Sequence, residues 1–424
     1  MSKILIVGLG YVGLASAVGL ARLGHSVIGF DTNRSRIQQL ESGEIPIFEP
    51  GLQDGMNLAF ASGNLTVTSS PESSVAETEF AFICVPTPSS KDGGAELAHV
   101  ETAIKALTPT LTKGSIVVLK STLPVGTALR FADELQSYGI EVASNPEFLQ
   151  EGTALSDFES PSRIVVGANH KITASRVMDL YEKIKAPRLF CGLSSAETIK
   201  HASNSFLAVK LSFVNELAEL CERTGANMSE VTQGMALDNR IGNKFLNPGP
   251  GWGGSCFPKD TLELAHSARS LGFEMSTVEA AISSNQKATK SITSKVSELV
   301  GKKLKGTKVA IWGLAFKANT DDTRDSPAMS VLEDLVSSGA AVTAYDEIAK
   351  NVKPKGFLLA NSALEACEGA EVLLVLTESQ EYKTIDPKRA AALMSQGAVV
   401  FDTRRILDRD TWTQHFNHVK TLGN

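Results

Sequence analysis

Two stretches of the chain repeat one pattern of apolar runs, and this repeat limits the possible fold more than any other feature. KILIVGLGY, from Lys3, corresponds to KVAIWGLAF, from Lys308, and GHSVIGFD corresponds to GAAVTAYD. Further along, EFAFICVPT corresponds to AEVLLVLTE, and SIVVLKST corresponds to AVVFDTR. Continuously apolar runs are typical of strands that are buried on both faces of a parallel sheet. The repeat therefore predicts two doubly wound α/β domains built on one plan.

Between the repeats, one long helical pattern runs from Ala196 to about Gly225. Its apolar residues cover more than one face, which indicates a helix buried between other elements and a candidate subunit interface. At 424 residues the chain is too long for a single hydrophobic core. The predicted architecture is two Rossmann-like domains, residues 1–195 and 301–424, joined by the long helix and a small helical middle domain, residues 196–300.

The first copy of the repeat carries a glycine motif that predicts a dinucleotide site. GLGYVG places Gly8, Gly10 and Gly13 between the first strand and the first helix, and Asp31 ends the second strand. These glycines permit a tight turn, the approach of a pyrophosphate, and close packing of helix on strand. A carboxylate at Asp31 would accept hydrogen bonds from the ribose hydroxyls and repel a 2′-phosphate, which favours NAD over NADP. The alternatives are a glycine-rich turn without a ligand and, for Ile4–Ala21, a membrane span or signal peptide, which its four glycines disfavour.

Charge and composition narrow the class of partner. The net charge of −6 disfavours nucleic acid and anionic membranes, because both select basic surfaces. The five cysteines are widely spaced without a CxxC pair, which favours a reducing cytoplasm over a disulfide framework. The seven histidines show no HxxxH spacing, so no metal site is predicted. We therefore expect a cytoplasmic protein whose partner is a small molecule.

Polar residues follow two predicted strands of the first domain, in VPTP and KSTLPVGT. Ligands of open α/β sheets bind beyond the carboxyl ends of the strands. Thr87, Ser121 and Thr122 are therefore expected near the nicotinamide side of a bound dinucleotide. The alternative is that they are polar residues of proline-stiffened turns.

Two pairs of polar residues are spaced four apart. Glu147 and Glu151, in NPEFLQEGTA, would share a face if this segment were helical, and such a pair suits acid–base chemistry when one carboxylate is desolvated. Lys200 and Asn204 lie on the long helix, and donors of this kind suit a developing oxyanion. For both pairs the alternative is a solvated surface.

The segment NPGPGWGGSCFPKD, from Asn247 to Asp260, is too rich in glycine and proline for regular structure. It holds Cys256, with Lys259 and Asp260 just behind. A lone cysteine is most often a buried and inert hydrophobe. The residues alone leave open whether Cys256 is inert or reactive.

A set of motifs in fixed order over the whole chain resembles a known enzyme family. GLGYVGL, STLPVGT, NPEFLQEGTA, the long helix, DNRIGNKFL, GGSCFPKD and LAFKANTDDTRDSP are similar to those of the UDP-glucose 6-dehydrogenases, in the UDP-glucose/GDP-mannose dehydrogenase family. GGSCFPKD is far more specific than the glycine motif. The resemblance implies NAD-dependent four-electron oxidation of a sugar C6 alcohol to a carboxylate, giving UDP-glucuronate and two NADH.

The resemblance also implies roles for single residues. Cys256 would be the nucleophile that captures the intermediate aldehyde as a thiohemiacetal and carries the thioester after the second oxidation. Lys200 and Asn204 match an oxyanion-stabilising pair, and Lys200 also matches a group that assists deprotonation of the alcohol. Glu147 matches the residue that serves thioester hydrolysis.

Further positions are implied for water, cofactor and substrate. Thr122 and Asp260 match groups that position the catalytic water. The positions that match NAD contacts are Gly8, Gly10, Tyr11, Val12, Gly13, Asp31, Arg36, Thr87, Thr122, Glu151, Lys259 and Arg324. The positions that match contacts of the UDP-sugar are Glu147, Phe148, Leu149, Glu151, Lys200, Asn204, Arg240, Phe245, Asn247, Gly249, Gly253, Phe316, Lys317 and Arg404.

Other functions share part of this pattern. Trp252 stands where the family usually has Phe or Tyr, so UDP-N-acetylhexosamines and GDP-mannose are alternative substrates. A two-electron NAD-dependent hydroxy-acid dehydrogenase would share the first domain and the helical middle, and a catalytically silent nucleotide-binding protein would show no turnover. The resemblance and the apolar central helix also predict a homodimer.

Overall fold

The computed structural model describes residues 1–70 and 75–424, which divide into two compact units. Unit 1 comprises Met1–Ser203 and Leu262–Glu274, and unit 2 comprises Asn204–Thr261 and Met275–Asn424. Each unit contains one copy of the sequence repeat.

Unit 1 is built on a sheet of short apolar strands. They are β1 (Lys3–Val7), β2 (Ser26–Phe30), β3 (Leu65–Thr68), β4 (Phe80–Ile83), β5 (Ile116–Leu119), β6 (Glu141–Ser144), β7 (Ile164–Ala168) and β8 (Arg188–Cys191). Within the described residues the order is β3-β2-β1-β4-β5-β6-β7-β8, and every pair is parallel except β6 with β7. The first six strands in space follow the order of a doubly wound dinucleotide-binding sheet, so the prediction for this half is confirmed.

Helices cover both faces of this sheet. They are α1 (Tyr11–Arg22), α2 (Arg34–Glu41), α3 (Leu52–Ala61), α4 (Ala98–Leu107), α5 (Thr127–Gln136), α6 (Ala154–Glu159) and α7 (Lys171–Asp179). Ile4 and Ile6 of β1 belong to one apolar cluster, whereas Leu5 and Val7 belong to another. Because alternate side chains enter separate cores, the strand has no polar face, which explains its uninterrupted apolar sequence.

Unit 2 contains a second sheet in which every strand pair is parallel. Its strands are β9 (Lys308–Trp312), β10 (Ala341–Tyr345), β11 (Leu358–Leu359), β12 (Val372–Val375), β13 (Val399–Asp402) and β14 (His418–Thr421), in the order β11-β10-β9-β12-β13-β14. Val309 and Ile311 enter one core and Ala310 and Trp312 the other, as in the first sheet. The second Rossmann-like domain is therefore also confirmed.

The remaining helices include the long central one. They are α8 (Leu193–Thr224), α9 (Met228–Ala236), α10 (Phe257–Ser270), α11 (Ser276–Val300), α12 (Pro327–Ser337), α13 (Ala363–Ala366), α14 (Gln380–Lys383), α15 (Pro387–Leu393) and α16 (Arg409–Trp412). No helix of the described residues offers a stretch long and apolar enough to cross a lipid bilayer.

The central helix α8 differs in one respect from its prediction. Its length agrees, but it is not buried all round: Phe206, Phe213 and Leu220 are 69%, 54% and 55% exposed. These three residues are spaced seven apart, so they form one apolar stripe along the helix. Val214, one position on from Phe213, is fully buried. The helix thus has one packed face and one exposed apolar face.

Two local predictions need correction. The segment that holds Glu147 and Glu151 is a loop, because helix α6 begins only at Ala154, so the two carboxylates do not share a helical face. Helix α10 begins at Phe257, inside the segment Asn247–Asp260 that was expected to lack regular structure. Pro258 stands in the first helical turn, where its missing N–H costs no hydrogen bond.

Candidate active site

The glycine motif forms the turn that its spacing predicts. Gly8 has φ 91°, a conformation that favours glycine. A side chain at Gly13 would lie 1.8 Å from the carbonyl oxygen of Gly8, so only glycine fits there. At Gly10, by contrast, a Cβ would meet no atom within 4 Å. The turn is therefore closed on its packed side and open at Gly10, before the N-terminus of α1, as the pyrophosphate of a dinucleotide requires.

Asp31 occupies the end of β2, as predicted, and is mostly buried. Its Oδ2 accepts a hydrogen bond from the Leu9 backbone N–H at 2.9 Å and another from Arg36 Nη1 at 2.9 Å. Its Oδ1 accepts from the Asn33 backbone N–H at 2.8 Å. Asp31 thus fixes the glycine turn against the loop after β2, and Arg36 lies beside it.

The loops after β4 and β5 come together. Thr87 Oγ1 donates to the Thr122 carbonyl oxygen at 3.0 Å. Ser121 Oγ donates to the Val85 carbonyl oxygen at 2.6 Å. These contacts hold the three predicted polar residues at the carboxyl edge of the first sheet, where ligands of such folds bind.

Glu147 and Lys200 form a buried ion pair within unit 1. The distance from Lys200 Nζ to Glu147 Oε1 is 2.8 Å, and the two side chains are 3% and 6% exposed. Glu147 Oε2 accepts a hydrogen bond from the Leu149 backbone N–H at 2.6 Å. The guanidinium carbon of Arg163 lies 3.7 Å from the centroid of the Phe148 ring. A carboxylate and an amine held this firmly, away from bulk water, can exchange a proton.

The turn after Glu147 is fixed by residues that the sequence did not single out. The Gly152 backbone N–H donates to Tyr11 Oη at 2.6 Å and to Glu49 Oε2 at 2.8 Å. Glu49 Oε1 accepts from the Ala154 N–H at 2.6 Å. Glu49 therefore anchors the turn that carries Glu151, and no local sequence signal marks it, because it lies about one hundred residues away.

Unit 2 holds a second polar cluster, built on α8 and α10. Asn204 Nδ2 donates to Asp260 Oδ2 at 2.6 Å, and Lys259 Nζ donates to Asp260 Oδ1 at 2.7 Å. Asp260 is fully buried and Asn204 is 9% exposed. Asn204 also lies one turn beyond Lys200 on α8. Both donors predicted on this helix therefore have the polar partners that burial demands.

Cys256 immediately precedes helix α10 and is half-buried. Its carbonyl oxygen accepts the hydrogen bond of the Asp260 N–H at 2.9 Å, which makes Cys256 the first residue of the helical ladder. The positive end of a helix dipole favours an anion at this position. The placement therefore favours the thiolate, the form in which cysteine is a nucleophile.

The glycine-rich segment before Cys256 packs closely against the second sheet's loops. A Cβ at Gly249 would lie 2.9 Å from Arg404 Nη1, and one at Gly253 would lie 1.9 Å from the Asp325 carbonyl oxygen. A Cβ at Gly254 would meet the ring of Phe316 at 2.7 Å. Four predicted substrate residues, Gly249, Gly253, Phe316 and Arg404, are thereby brought together.

The side chain of Trp252 points into the interior of the protein. Its indole Nε1 donates to Ser212 Oγ at 2.9 Å, and its backbone exchanges two hydrogen bonds with the Asn285 amide at 2.8 Å. The ring is 7% exposed. Trp252 therefore contributes packing against α8 and fixes the glycine-rich segment.

Two arginines were predicted to contact ligands, and the contacts that the structure describes for them are with nearby aspartates. Arg240 pairs with Asp238 at 2.6 Å, and Arg324 pairs with Asp322 at 2.7 Å. Both side chains are largely exposed, whereas Lys317 lies 5.6 Å from the Phe316 ring centroid. The structure does not group Arg240 with Gly249, Phe316 and Arg404. Among residues 1–70 and 75–424, no three His, Cys, Asp or Glu side chains could hold a metal ion together.

Comparison with known families covers nearly the whole chain. Models of the UDP-glucose/GDP-mannose dehydrogenase family match in three parts: the NAD binding domain over residues 2–185, the central domain over residues 194–287, and the UDP binding domain over residues 310–409. The NAD binding domain model spans the glycine turn and Asp31.

Individual relatives match over their full length. The chain is 40% identical to the UDP-glucose 6-dehydrogenase of Rhizobium meliloti (strain 1021), covering 99% of both proteins. It resembles the structure of a UDP-glucose dehydrogenase from the hyperthermophilic archaeon Pyrobaculum islandicum with a TM-score of 0.91 and 36% identity, covering 100% of this chain and 98% of that one. A UDP-D-ManNAc dehydrogenase from Pyrococcus horikoshii matches with a TM-score of 0.87 and 25% identity, covering 99% of both.

Proposed function

We propose that this chain, which belongs to the UDP-glucose/GDP-mannose dehydrogenase family, oxidises the C6 alcohol of UDP-glucose to a carboxylate with NAD as the cofactor. One observation supports the four-electron reaction above all: a half-buried thiol, Cys256, at the N-terminus of α10. A two-electron alcohol oxidation needs no nucleophile, whereas an aldehyde that must be oxidised again profits from a covalent hold.

The residues of unit 1 fit NAD. The open Gly10 position leaves room for the pyrophosphate, and Asp31 and Arg36 stand where the ribose hydroxyls would bind. When bound, NAD accepts a hydride in each of the two oxidations. Thr87 and Thr122 would contact the nicotinamide side. Lys259 and Arg324, which belong to unit 2, are further positions proposed to contact NAD.

In the first oxidation, Lys200 accepts the proton of the C6 hydroxyl as the alcohol becomes an aldehyde. The Cys256 thiolate then attacks the aldehyde carbon, and its carbonyl oxygen becomes an alkoxide. Lys200 and Asn204 donate hydrogen bonds to this oxygen, since both are fixed amino or amide donors on adjacent turns of α8.

In the second oxidation, the thiohemiacetal becomes a thioester on Cys256. Glu147 takes a proton from the attacking water, and Thr122 and Asp260 position that water. Addition of water oxygen to the thioester carbon breaks the C–S bond, which releases the acid and restores the thiolate.

The UDP-sugar binds against the glycine-rich segment and the loops of the second sheet. Gly249 and Gly253 allow a close approach of backbone, and Arg404 and Lys317 offer cations to the pyrophosphate. Phe316, Phe245 and Asn247 complete this surface. UDP-N-acetylhexosamines remain the second candidate substrates, because the fold is shared with a UDP-D-ManNAc dehydrogenase.

The enzyme is further proposed to be a cytoplasmic homodimer. A catalytic thiol must stay reduced, which suits the cytoplasm. The apolar stripe of Phe206, Phe213 and Leu220 on α8 is the surface that a second copy would cover, because exposed aromatic residues in a row mark interaction sites.

The test is the NADH yield of the purified protein on a panel of UDP-glucose, UDP-N-acetylmannosamine, UDP-N-acetylglucosamine, GDP-mannose and simple hydroxy acids. UDP-glucose is expected to give the highest kcat/KM with NAD. Cys256→Ala should abolish release of the acid, whereas Cys191→Ala, at another half-buried thiol, should not. Absence of NADH with every nucleotide sugar would refute the proposal.

A further inference from the structure

Arg163, which the proposed mechanism does not use, contacts both elements that carry the Glu147–Lys200 pair. Its guanidinium carbon lies 3.7 Å from the centroid of the Phe148 ring, and its Nη2 donates to Ser203 Oγ at 3.0 Å. Phe148 belongs to the loop after β6 that carries Glu147. Ser203 lies on α8, three residues beyond Lys200. One side chain thus links the loop of the carboxylate to the helix of the amine.

The contact between Arg163 and Phe148 is a close cation–π contact. Its distance of 3.7 Å lies well inside the limit of about 6 Å within which a cation is attracted to an aromatic ring. Arginine stays charged at every pH at which an enzyme works, and its planar group is suited to aromatic rings. Both side chains are half-buried, which shields the contact from water. The ring is therefore held by a cation that does not titrate.

The position of Phe148 bears on the direction of the Glu147 carboxylate. Phe148 is the middle residue of a short turn, in which the Leu149 backbone N–H donates to Glu147 Oε2 at 2.6 Å. The other carboxylate oxygen, Oε1, accepts a hydrogen bond from Lys200 Nζ at 2.8 Å. A shift of the Phe148 backbone would therefore move the N–H that orients the carboxylate.

Hydroxyl groups fix the guanidinium of Arg163 on both of its terminal nitrogens. Ser203 Oγ accepts from Nη2 and donates to the Ile199 carbonyl oxygen, one turn earlier on α8, at 2.6 Å. A hydroxyl has one proton, and because the helix uses this proton, a lone pair of Ser203 is left for the arginine. On the other nitrogen, Nη1 donates to Ser162 Oγ at 3.1 Å. The guanidinium is thus placed by α8 as well as by its own neighbour in the chain.

The ring of Phe148 and the carboxylate of Glu147 belong to one turn, so a cation that fixes the ring also fixes the carboxylate. We propose that Arg163 is a positioning residue for thioester hydrolysis. Through the ring of Phe148 it holds Glu147 in the direction from which the carboxylate takes the proton of the attacking water. The two oxidations use Lys200, whose backbone is held by α8 whether or not the turn moves. This inference rests on the function proposed above.

The experiment measures the oxidations and the hydrolysis separately in Arg163→Met, which keeps most of the length of the side chain without its charge. Rapid mixing with NAD and UDP-glucose should give a burst of two NADH per active site at the wild-type rate. Steady-state turnover should then be about tenfold to 10²-fold slower, because a misplacement of about 1 Å can cost this much.

Two further substitutions serve as rescue and control. Arg163→Lys, which keeps a cation but not the planar group, should recover part of the rate of hydrolysis. Arg176→Met changes another arginine of unit 1, which donates to the Gly114 carbonyl oxygen and lies 5.4 Å from the ring centroid of Phe80. This variant should show wild-type kinetics.

A double variant separates an effect through Glu147 from a general effect on the fold. Arg163→Met combined with Glu147→Gln should hydrolyse the thioester no more slowly than Glu147→Gln alone, since the carboxylate that Arg163 positions is gone. Additive losses in the double variant would overturn the proposal. The proposal is also wrong if Arg163→Met, shown to be folded by its NAD affinity and thermal midpoint, slows the burst as much as the steady state.

Ser203→Ala decides the matter if Arg163→Met does not fold. This substitution removes the hydroxyl that accepts from Arg163 and places a good helix former in α8. Hydrolysis should slow by about twofold to tenfold, the loss expected for one hydrogen bond, while the burst is unchanged. A wild-type rate of hydrolysis in Ser203→Ala would then overturn the proposal.

The inference and the proposed function can fail separately. If Glu147→Gln does not show a burst followed by slow turnover, the hydrolytic role of Glu147 is wrong, and the role of Arg163 falls with it. If Glu147→Gln shows that pattern but folded Arg163→Met turns over like wild type, only the role of Arg163 is refuted.

Discussion

Glu147 combines two contacts that bear directly on its chemistry. One oxygen is paired with Lys200 at 2.8 Å, and the other accepts the Leu149 N–H. The carboxylate is thereby held at a fixed place in a buried setting, where a proton transfer requires little rearrangement. Sequence spacing drew attention to Glu147 by assuming a helix that the structure does not contain. The helical reason for choosing Glu147 is therefore wrong, and its role in the reaction stays a prediction.

Replacement of Glu147 by Gln should slow hydrolysis of the thioester more than it slows the two oxidations that form the thioester. An amide cannot take up the proton of the attacking water, so kcat should fall about 10²–10⁴-fold. Rapid mixing with NAD and UDP-glucose should then show a burst of two NADH per active site before a slow steady state. Glu263→Gln, at another buried carboxylate of unit 1, should show wild-type kinetics. A slow phase without a burst would contradict the hydrolytic role of Glu147.

The residues that support the site could not be identified from the sequence. Tyr181 Oη donates to Asn145 Oδ1 across 36 residues, and the Gly152 N–H donates to Glu49 across 103 residues. Each is an unremarkable polar residue in its local context, and its contact exists only once the sheet has formed. By contrast, Cys256 and Asp260 could be proposed from the sequence, because GGSCFPKD is a local motif that resembles one of a known family.

Among single elements, the turn between β1 and α1 contains one glycine that packing requires and another that leaves room for a ligand. Gly13 is fixed by packing against Gly8, whereas Gly10 faces open space. Gly10 has φ −74°, which alanine adopts readily. The two glycines of one motif should therefore respond differently to the same substitution.

Gly10→Ala should leave the free energy of unfolding within about 0.5 kcal/mol of wild type but weaken NAD binding at least about tenfold. Gly13→Ala should lower stability by about 1–3 kcal/mol or more and lose NAD binding as well, because its methyl group overlaps the Gly8 carbonyl. Chemical denaturation and calorimetric titration with NAD measure both quantities. Equal loss of stability in the two variants would show that the turn is not built as described.

A carboxylate of α8 accepts hydrogen bonds from backbone N–H groups at the N-terminus of helix α5. Glu197 accepts the N–H groups of Gly126 and Ala128, each at 2.7 Å, and is 4% exposed. Burial raises the pKa of Glu197 to about 7 from an ordinary value of 4.5, although the two N–H bonds oppose this. The fold therefore favours the protonated form.

The stability contribution of Glu197 is present below pH 4.5 and is lost as the pH rises through about 7. Wild-type protein should lose up to about 3 kcal/mol over this range relative to Glu197→Gln, which stays neutral. Thermal unfolding of both proteins from pH 4.5 to pH 8 measures the difference. Parallel curves for the two proteins would mean that Glu197 does not titrate as described.

Strands and long helices were predictable because burial leaves a local trace in the sequence. Each central strand alternates its side chains between two cores and is therefore apolar throughout. The start of α10 was missed because glycine and Pro258 mask a helix that begins directly after Cys256. Composition indicates where regular structure is costly, whereas the exact first residue depends on tertiary contacts.

For the whole molecule, the exposed apolar stripe on α8 bears most directly on the oligomeric state. Apolar residues on more than one face predicted burial against other elements and a candidate subunit interface, and within one chain Phe206, Phe213 and Leu220 are not buried. Burial by a second copy would reconcile the pattern with the structure. The sequence could not distinguish these cases, because an apolar side chain marks an interface as well as a core.

Phe213→Glu should convert a dimer into a monomer, because each new interface would bury two unpaired carboxylates. The control is Leu58→Glu, at a 62% exposed position of α3, which should leave the mass unchanged. Light scattering after size exclusion should report two 45.1-kDa chains for wild type and one for Phe213→Glu. A monomeric wild-type protein would contradict the dimer.

In the proposed reaction one chain oxidises a sugar alcohol twice, and the Cys256 thiol holds the aldehyde for the second oxidation. The most direct test of this reaction is the amount of NADH formed when a limiting quantity of UDP-glucose is consumed completely with excess NAD. Two NADH and one UDP-glucuronate are expected for each UDP-glucose. A yield of one NADH with an aldehyde as the product would contradict it.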